Sequence, residues 1–255
     1  MGLEQNTPVQ HADPCQNQLL SALPHKDAEL LFPDLKRVHL PEGTSIREPG
    51  QVMHQVYFPT TCIVSLVCEL TDGCSVETAM VGREGCVGAA GSMGAEATNA
   101  RAIVQSAGDA DRMSLQSFKS ALQRSDALMQ LLLYFGQALL TQIGQTVVCN
   151  RHHTVEQRLA RRLLWSSDCL GVPQWHATHE WMAAMLGVRR EGVTTAAGKL
   201  KCAGLIDYRR GEVRILDHSG LEARACECYR EVSNEYQRLL GASGRAYGRK
   251  RTSRE

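Results

Sequence analysis

The sequence predicts an α+β chain with an N-terminal antiparallel β-roll of jelly-roll type, one long helix, and a C-terminal winged helix-turn-helix. Three observations predict it. From about residue 36 to 114, apolar and polar residues alternate in short runs broken by Gly, Pro and Asp-Gly, which is the pattern of a string of short strands. From about 117 the period lengthens to steps of three and four. Between 178 and 216 two short helical segments flank one glycine, and two alternating segments follow them.

At 255 residues the chain has room for two modest domains. With 43% hydrophobic and 22% charged residues it falls in the ordinary globular class, outside the disordered and fibrous ones. The first twenty residues carry Glu4 and Asp13 and lack a basic segment ahead of an apolar run, so no secretory signal and no membrane span are expected, and the expected compartment is the cytoplasm. Charge is divided unevenly. Residues 151–255 hold 19 Lys and Arg against 12 Asp and Glu, and residues 1–150 hold 9 against 15. An acidic half joined to a basic half is the pattern of a regulatory domain attached to a polyanion-binding one.

Taken in order, residues 1–26 read as a flexible tail, with Pro24 and Asp27 opening a short helix at its end. Residues 27–124 form the β-roll. There Val56, Phe58, Val64, Leu66 and Cys68 share a face, and Asp72-Gly73 joins two strands as a hairpin. Residues 125–150 form the long helix, with Leu128, Leu132, Phe135, Leu139 and Ile143 on one stripe and Leu131, Leu133, Tyr134 and Leu140 on a second. One stripe can pack on the roll and the other on a second copy of the chain, so this is the expected dimerisation helix. The winged helix-turn-helix spans 151–223. Its first helix turns Val155, Leu159, Leu163 and Leu164 inward and Arg158, Arg161 and Arg162 outward. Residues 224–255 add a C-terminal helix and a basic arm, "GRAYGRKRTSRE".

Within "THEWMAAMLGVRREGVTTAAGKLKCAGLI", Thr178 caps the first helix and Gly187 supplies the left-handed turn. In the second helix Val193, Ala196, Ala197 and Leu200 point into the core. The outward face then carries Arg189, Arg190, Glu191, Thr194, Thr195 and Lys199. Arginine suits guanine, glutamate the cytosine amino group, and threonine a phosphate or a thymine methyl. The hairpin that follows has Arg209 and Arg210 at its tip, placed as a wing over flanking phosphates. Double-stranded DNA is the expected partner.

With these residues in order, the chain resembles the Crp/Fnr family of bacterial transcription regulators over about residues 30–225: "VYFP", "SLV", "DG" and "GREGCVG" in the roll, then the long helix, then "MLGVRREGVTTAAGKLKCAGLI". The resemblance implies a cyclic-nucleotide-binding-like roll, a homodimer on a palindromic operator, and RNA polymerase among the partners. It assigns base reading to Arg190 and Glu191. Thr195 stands where the catabolite-activator branch has a third reading arginine, and Arg189 stands where a serine cap is usual. In cyclic-nucleotide-binding members a Gly-Glu pair holds the ribose, and an Arg followed by Ser or Thr holds the phosphate. Here Glu84 precedes Gly85 and Ala102 follows Arg101, so Glu84, Gly85 and Arg101 mark a degenerate effector pocket from which no tight cyclic AMP binding is expected.

No cofactor or metal is expected. The cysteines lack paired CxxC spacing, and Cys15 is the only one near the N-terminus, against the cluster of iron–sulfur members; a haem is likewise unsupported. Cys226-Glu227-Cys228 has no second pair beside it in sequence. The adjacent His152 and His153 diverge by ~100° on a helix and read as a polar hinge, while His176 and His179 read as surface residues. A cupin-type enzyme needs clustered His and Glu, whereas the roll offers only His39 and His54, so the chain is not read as an enzyme. The leading function is a sequence-specific DNA-binding transcription regulator. The alternative is a small-molecule or redox sensor acting mainly through protein contacts.

Overall fold

The computed structural model describes residues 16–73, 75–94 and 98–241. The roll is two facing antiparallel sheets. One has the order β1-β7-β3, from β1 (Lys36–Leu40), β3 (Gln55–Pro59) and β7 (Gly108–Ser114); the other has the order β2-β6-β4-β5, from β2 (Ser45–Arg47), β4 (Ile63–Glu69), β5 (Ser75–Val81) and β6 (Arg101–Ser106). The β4–β5 hairpin turns at Asp72-Gly73 as expected, Gly73 in the left-handed region at φ 85°. Val56, Phe58, Ile63 and Val64 are fully buried, and Phe58 meets Phe118 of the helix that follows the roll edge to face at 5.9 Å.

Residues 16–26 depart from the expected loose tail. Asn17 is wholly buried; its amide donates to the carbonyls of Pro59 and Gly85 (2.8 and 2.9 Å), and its Oδ1 caps α1 (Gln18–Ser21), whose Leu19 and Leu20 enter the core. The apolar pair is too short to give a helical period, which is why the sequence does not reveal it. The helix opened by Pro24 forms as α2 (His25–Ala28). Residues 1–15, with Cys15, lie outside the described residues, as do Cys74 and the basic arm from 242 onward.

Ser114 caps α3 (Leu115–Arg124), and Ser125 caps α4 (Asp126–His152), so the helical run expected from 117 is broken in two by a serine that accepts from Leu128 N–H. Leu128, Leu132 and Phe135 pack inward as expected. Gly85 lets the long helix lie on the roll, because a Cβ there would stand 2.2 Å from Phe135 Cε2. By length and composition α4 is also apolar enough to cross a membrane; here one side of it packs on β5 and another on the C-terminal helix α9 (Cys228–Leu240).

The outward stripe is corrected in part. Leu131 and Tyr134 are half-buried against the core. What stays open is Met129, Leu133, Leu140, Val147 and Val148, with Leu133, Leu140 and Val147 at 53, 65 and 66% exposure. Met129, Leu133, Gly136, Leu140, Ile143 and Val147 follow alternating steps of four and three, the spacing of a coiled-coil seam.

Thr154 and Gln157 form a capping box at the start of α5 (Val155–Leu170). Leu159, Leu163 and Leu164 are buried as expected, but Arg158 and Arg162 also face inward, at 9 and 6% exposure. Arg162 makes a fork-to-fork pair with the buried Glu77 of β5, its Nη2 lying 2.9 Å from Oε2, also donates to Gln105, and sits 4.7 Å above the Trp181 ring. Arg158 donates to the carbonyl of Leu186. A partner 85 residues away turns a charge that looks solvent-facing into an interior one.

Candidate nucleic-acid interface

The candidate interface is built from α6 (His179–Leu186), α7 (Arg190–Cys202) and a three-stranded sheet of order β8-β10-β9, from β8 (Gln174–His176), β9 (Ile206–Arg209) and β10 (Glu212–Ile215). Thr178 accepts from Trp181 N–H to start α6, and Gly187, at φ 61°, ends it. Val193, Ala196, Ala197 and Leu200 are buried, which fixes the rotation of α7. Arg189, Arg190, Glu191, Thr194, Thr195 and Lys199 are all exposed on one side of it, as the sequence predicts. Arg189 occupies the N-cap without a side-chain cap bond, so the N-terminal turn of α7 keeps free N–H capacity for a phosphate.

The charged groups on this face are held only loosely. Arg190 lies 3.7 Å from Glu180 in a solvent-exposed pair worth little and readily exchanged for a polyanion, and exposed Lys199 lies 3.5 Å from the partly buried Glu156. Thr194 is more committed: its hydroxyl donates to the Arg190 carbonyl (3.1 Å) and lies 3.0 Å from His179 Nδ1.

His179 is not the plain surface residue expected. It stacks on Tyr208 of the hairpin with ring centroids 4.2 Å apart, and partial burial, with the Arg190 charge beside it, holds its pKa below the usual histidine value. Tyr208 in turn donates to the Ala177 carbonyl at 2.9 Å, and Ala177 N–H donates to Gly211. These contacts lock the hairpin to the helix pair, so the distance from α7 to the hairpin tip is fixed. Arg209 and Arg210 are both exposed at that tip. Arg210 and Gly211 form its two-residue turn with φ of 51° and 83°, a primed turn in which an arginine takes the left-handed conformation usually left to Gly, Asn or Asp.

Residues 157–224 match a family model described as a Crp-like helix-turn-helix domain. Across the whole architecture, the chain is similar to the structure of FixK2 from Bradyrhizobium japonicum, with a TM-score of 0.65 at 15% identity over 75% of this chain and 98% of that one. It is also similar to the c-di-GMP responsive global regulator CLP of Xanthomonas campestris, with a TM-score of 0.60 at 18% identity over 75% and 99%. A CRP/FNR-family transcriptional regulator from Thermus thermophilus gives 0.60 at 23% over 74% and 97%. The fold is that of the Crp/Fnr regulators. No curated protein matches the sequence. The matched model is that of a Crp-like helix-turn-helix domain, and the likeness to the solved structures is one of fold.

The expected effector residues of this Crp/Fnr-type roll do not converge on a pocket. The Glu84 carboxylate is buried and turned back on its own loop, where Oε1 accepts from Gly82 N–H at 2.8 Å; burial raises its pKa. Gly85 is a packing contact with Phe135. Arg101 lies across the sheet edge in a bidentate pair with Glu48 (2.9 and 3.1 Å). None of the three lines the cavity of about 380 Å³ between the roll and α4, whose walls include Leu66, Val81, Val87, Leu132, Phe135 and Ile143. Among the described residues its one charged lining group is Arg47, which spends two N–H groups on the Ala100 carbonyl. The order of motifs suggests a polar site, but the strand faces and α4 together enclose an apolar one.

The expectation that Cys226-Glu227-Cys228 stands alone is also corrected. Cys149, at the end of α4, and His153, in the following turn, lie beside it. Only His153 of the histidine pair turns this way; His152 is exposed, as the divergence of adjacent helical positions requires.

Proposed function

We propose that the chain is a homodimeric, sequence-specific DNA-binding transcription regulator that reads a palindromic operator through α7. The observation that carries this reading is the single exposed face of Arg189, Arg190, Glu191, Thr195 and Lys199, held at a fixed distance from Arg209 and Arg210 by the His179–Tyr208 stack. Arg190 takes a guanine edge, Glu191 accepts from a cytosine amino group, and the hairpin arginines hold flanking phosphates. The open seam of α4 pairs two chains, setting their recognition helices about one helical turn, ~34 Å, apart. The β-roll does not bind cyclic AMP: its cavity is apolar, and the carboxylate and guanidinium that a ribose phosphate needs are engaged elsewhere. An effector of this cavity is a largely apolar molecule.

Fluorescence anisotropy on a bound fragment and on random DNA, at several salt concentrations, separates the roles. Arg190→Ala is expected to cost about 1–3 kcal/mol on the specific site and to relax the base preference at one position. Arg209→Ala and Arg210→Ala are expected to weaken both DNAs alike and to reduce the salt slope by about 1 each. Equal losses on specific and random DNA for all three variants would contradict these roles.

A further inference from the structure

The four side chains gathered at the hinge between α4 and α5 have no part in reading DNA. Cys149 and His153 lie one turn apart at the end of α4, where His153 N–H still bonds the Cys149 carbonyl at 3.1 Å, so both face the same way. Cys226 and Cys228 come from the entry to α9, with Glu227 between them turned outward. Cys149 Sγ stands 3.5 Å from Cys226 Sγ, Cys228 Sγ stands 3.6 Å from His153 Nδ1, and the four ligand atoms all lie within 4.8 Å of one another. The three cysteines are buried and His153 is half-buried.

We propose that Cys149, His153, Cys226 and Cys228 form a tetrahedral S₃N site for one thiophilic divalent cation of the zinc type. Bond lengths of about 2.3 Å to sulfur and about 2.0–2.1 Å to nitrogen put the corners of such a tetrahedron about 3.6–3.8 Å apart, close to the two measured edges. The spacing leaves room for a single ion and no space for a multi-iron cluster. Two surrounding features suit a metal centre. Glu227 Oε2 lies 3.4 Å from His153 Nε2, the carboxylate partner that fixes a histidine's tautomer and leaves Nδ1 as the ligand atom. Arg158 and Arg161 line the same cavity as Cys149, where their guanidinium charges offset the net negative charge of three thiolates around a dication.

The position gives the site its consequence. It ties the start of α9 to the last turn of α4 and to its C-cap His153, just ahead of the Thr154 cap of α5, so an ion there fixes the joint between the roll and the Crp-like domain. Loading releases the thiol protons and stabilises the folded chain by mass action.

The test is titration of untagged, full-length, thiol-reduced protein with Co²⁺ alone, followed by displacement with Zn²⁺. One Co²⁺ per chain is expected, with the intense ligand-field bands of a tetrahedral ion and sulfur-to-cobalt charge transfer of three thiolates, all abolished by Zn²⁺. Cys226→Ser and Cys228→Ser are expected to remove the three-thiolate spectrum, Glu227→Gln to weaken binding about 10–100-fold while keeping it, and the exposed Cys202→Ser to change nothing. If the serine variants fail to fold, the wild-type spectrum and stoichiometry still decide. No bound cobalt in the reduced protein, including protein whose Cys149 and Cys226 were first found joined as a disulfide, overturns the proposal. So does a spectrum that survives in Cys226→Ser or Cys228→Ser.

Discussion

Replacing Arg162 by alanine is expected to destabilise the protein by about 3–5 kcal/mol, a large share of the ~5–15 kcal/mol that holds an ordinary domain folded. The reason lies with what is left behind. Glu77 is 6% exposed, and Arg162 supplies both of its forked N–H donors, with only Ser65 beside it to share the carboxylate. Removing the guanidinium therefore strands a negative charge in the interior and also uncovers the face of Trp181. Replacing both partners by apolar residues of similar size, as in Glu77→Leu with Arg162→Met, is expected to recover most of the loss, because the desolvation cost disappears with the pair. Urea unfolding of the three proteins measures this; a single-variant loss under about 1 kcal/mol would mean that Glu77 finds other partners. Because Glu77 belongs to the roll, Arg162 to α5 and Trp181 to α6, the same pair sets how the two halves meet.

Leu140→Asp is expected to separate the dimer and to lower operator affinity by about 10²–10⁴-fold, the gain that two linked half-sites provide over one. Leu140 is 65% exposed in the single chain and stands at the centre of a seam in which Leu133, Leu140 and Val147 recur every seven residues. In a two-fold pair each position meets its own copy or a near neighbour, so one aspartate per chain places two like charges in the contact without disturbing the inward Leu132 and Phe135. Sedimentation is expected to give a folded monomer with unchanged helix content. A variant that stays dimeric, with affinity within about threefold of the wild type, would place the contact between copies elsewhere.

The parts of this molecule that are legible in its sequence are those built from local periods. The alternation of strands, the Asp72-Gly73 turn, the Thr178 cap, the Gly187 turn and the outward face of α7 all follow from residues within a few positions of one another. What escapes is what distant segments make together. Arg162 looks like a solvent-facing helical arginine until β5 brings Glu77 against it. Cys149 and Cys226, 77 residues apart, meet only because α9 folds back along α4. Motif order points to Glu84, Gly85 and Arg101, but the loop carrying Glu84 turns its carboxylate inward to Gly82, and no local pattern foretells that direction. His179 shows the same limit in miniature, since its ring is occupied by a tyrosine on the hairpin.

The central claim is that α7 reads base sequence. Selection of bound fragments from a random DNA pool at about physiological salt, with no ligand added, tests it most directly when wild type is run beside Arg190→Ala with Glu191→Ala. The account predicts a palindromic motif with half-sites about one helical turn apart, enriched by the wild type and lost by the double variant. Enrichment of the same motif by both proteins, or of none by the wild type, would contradict it.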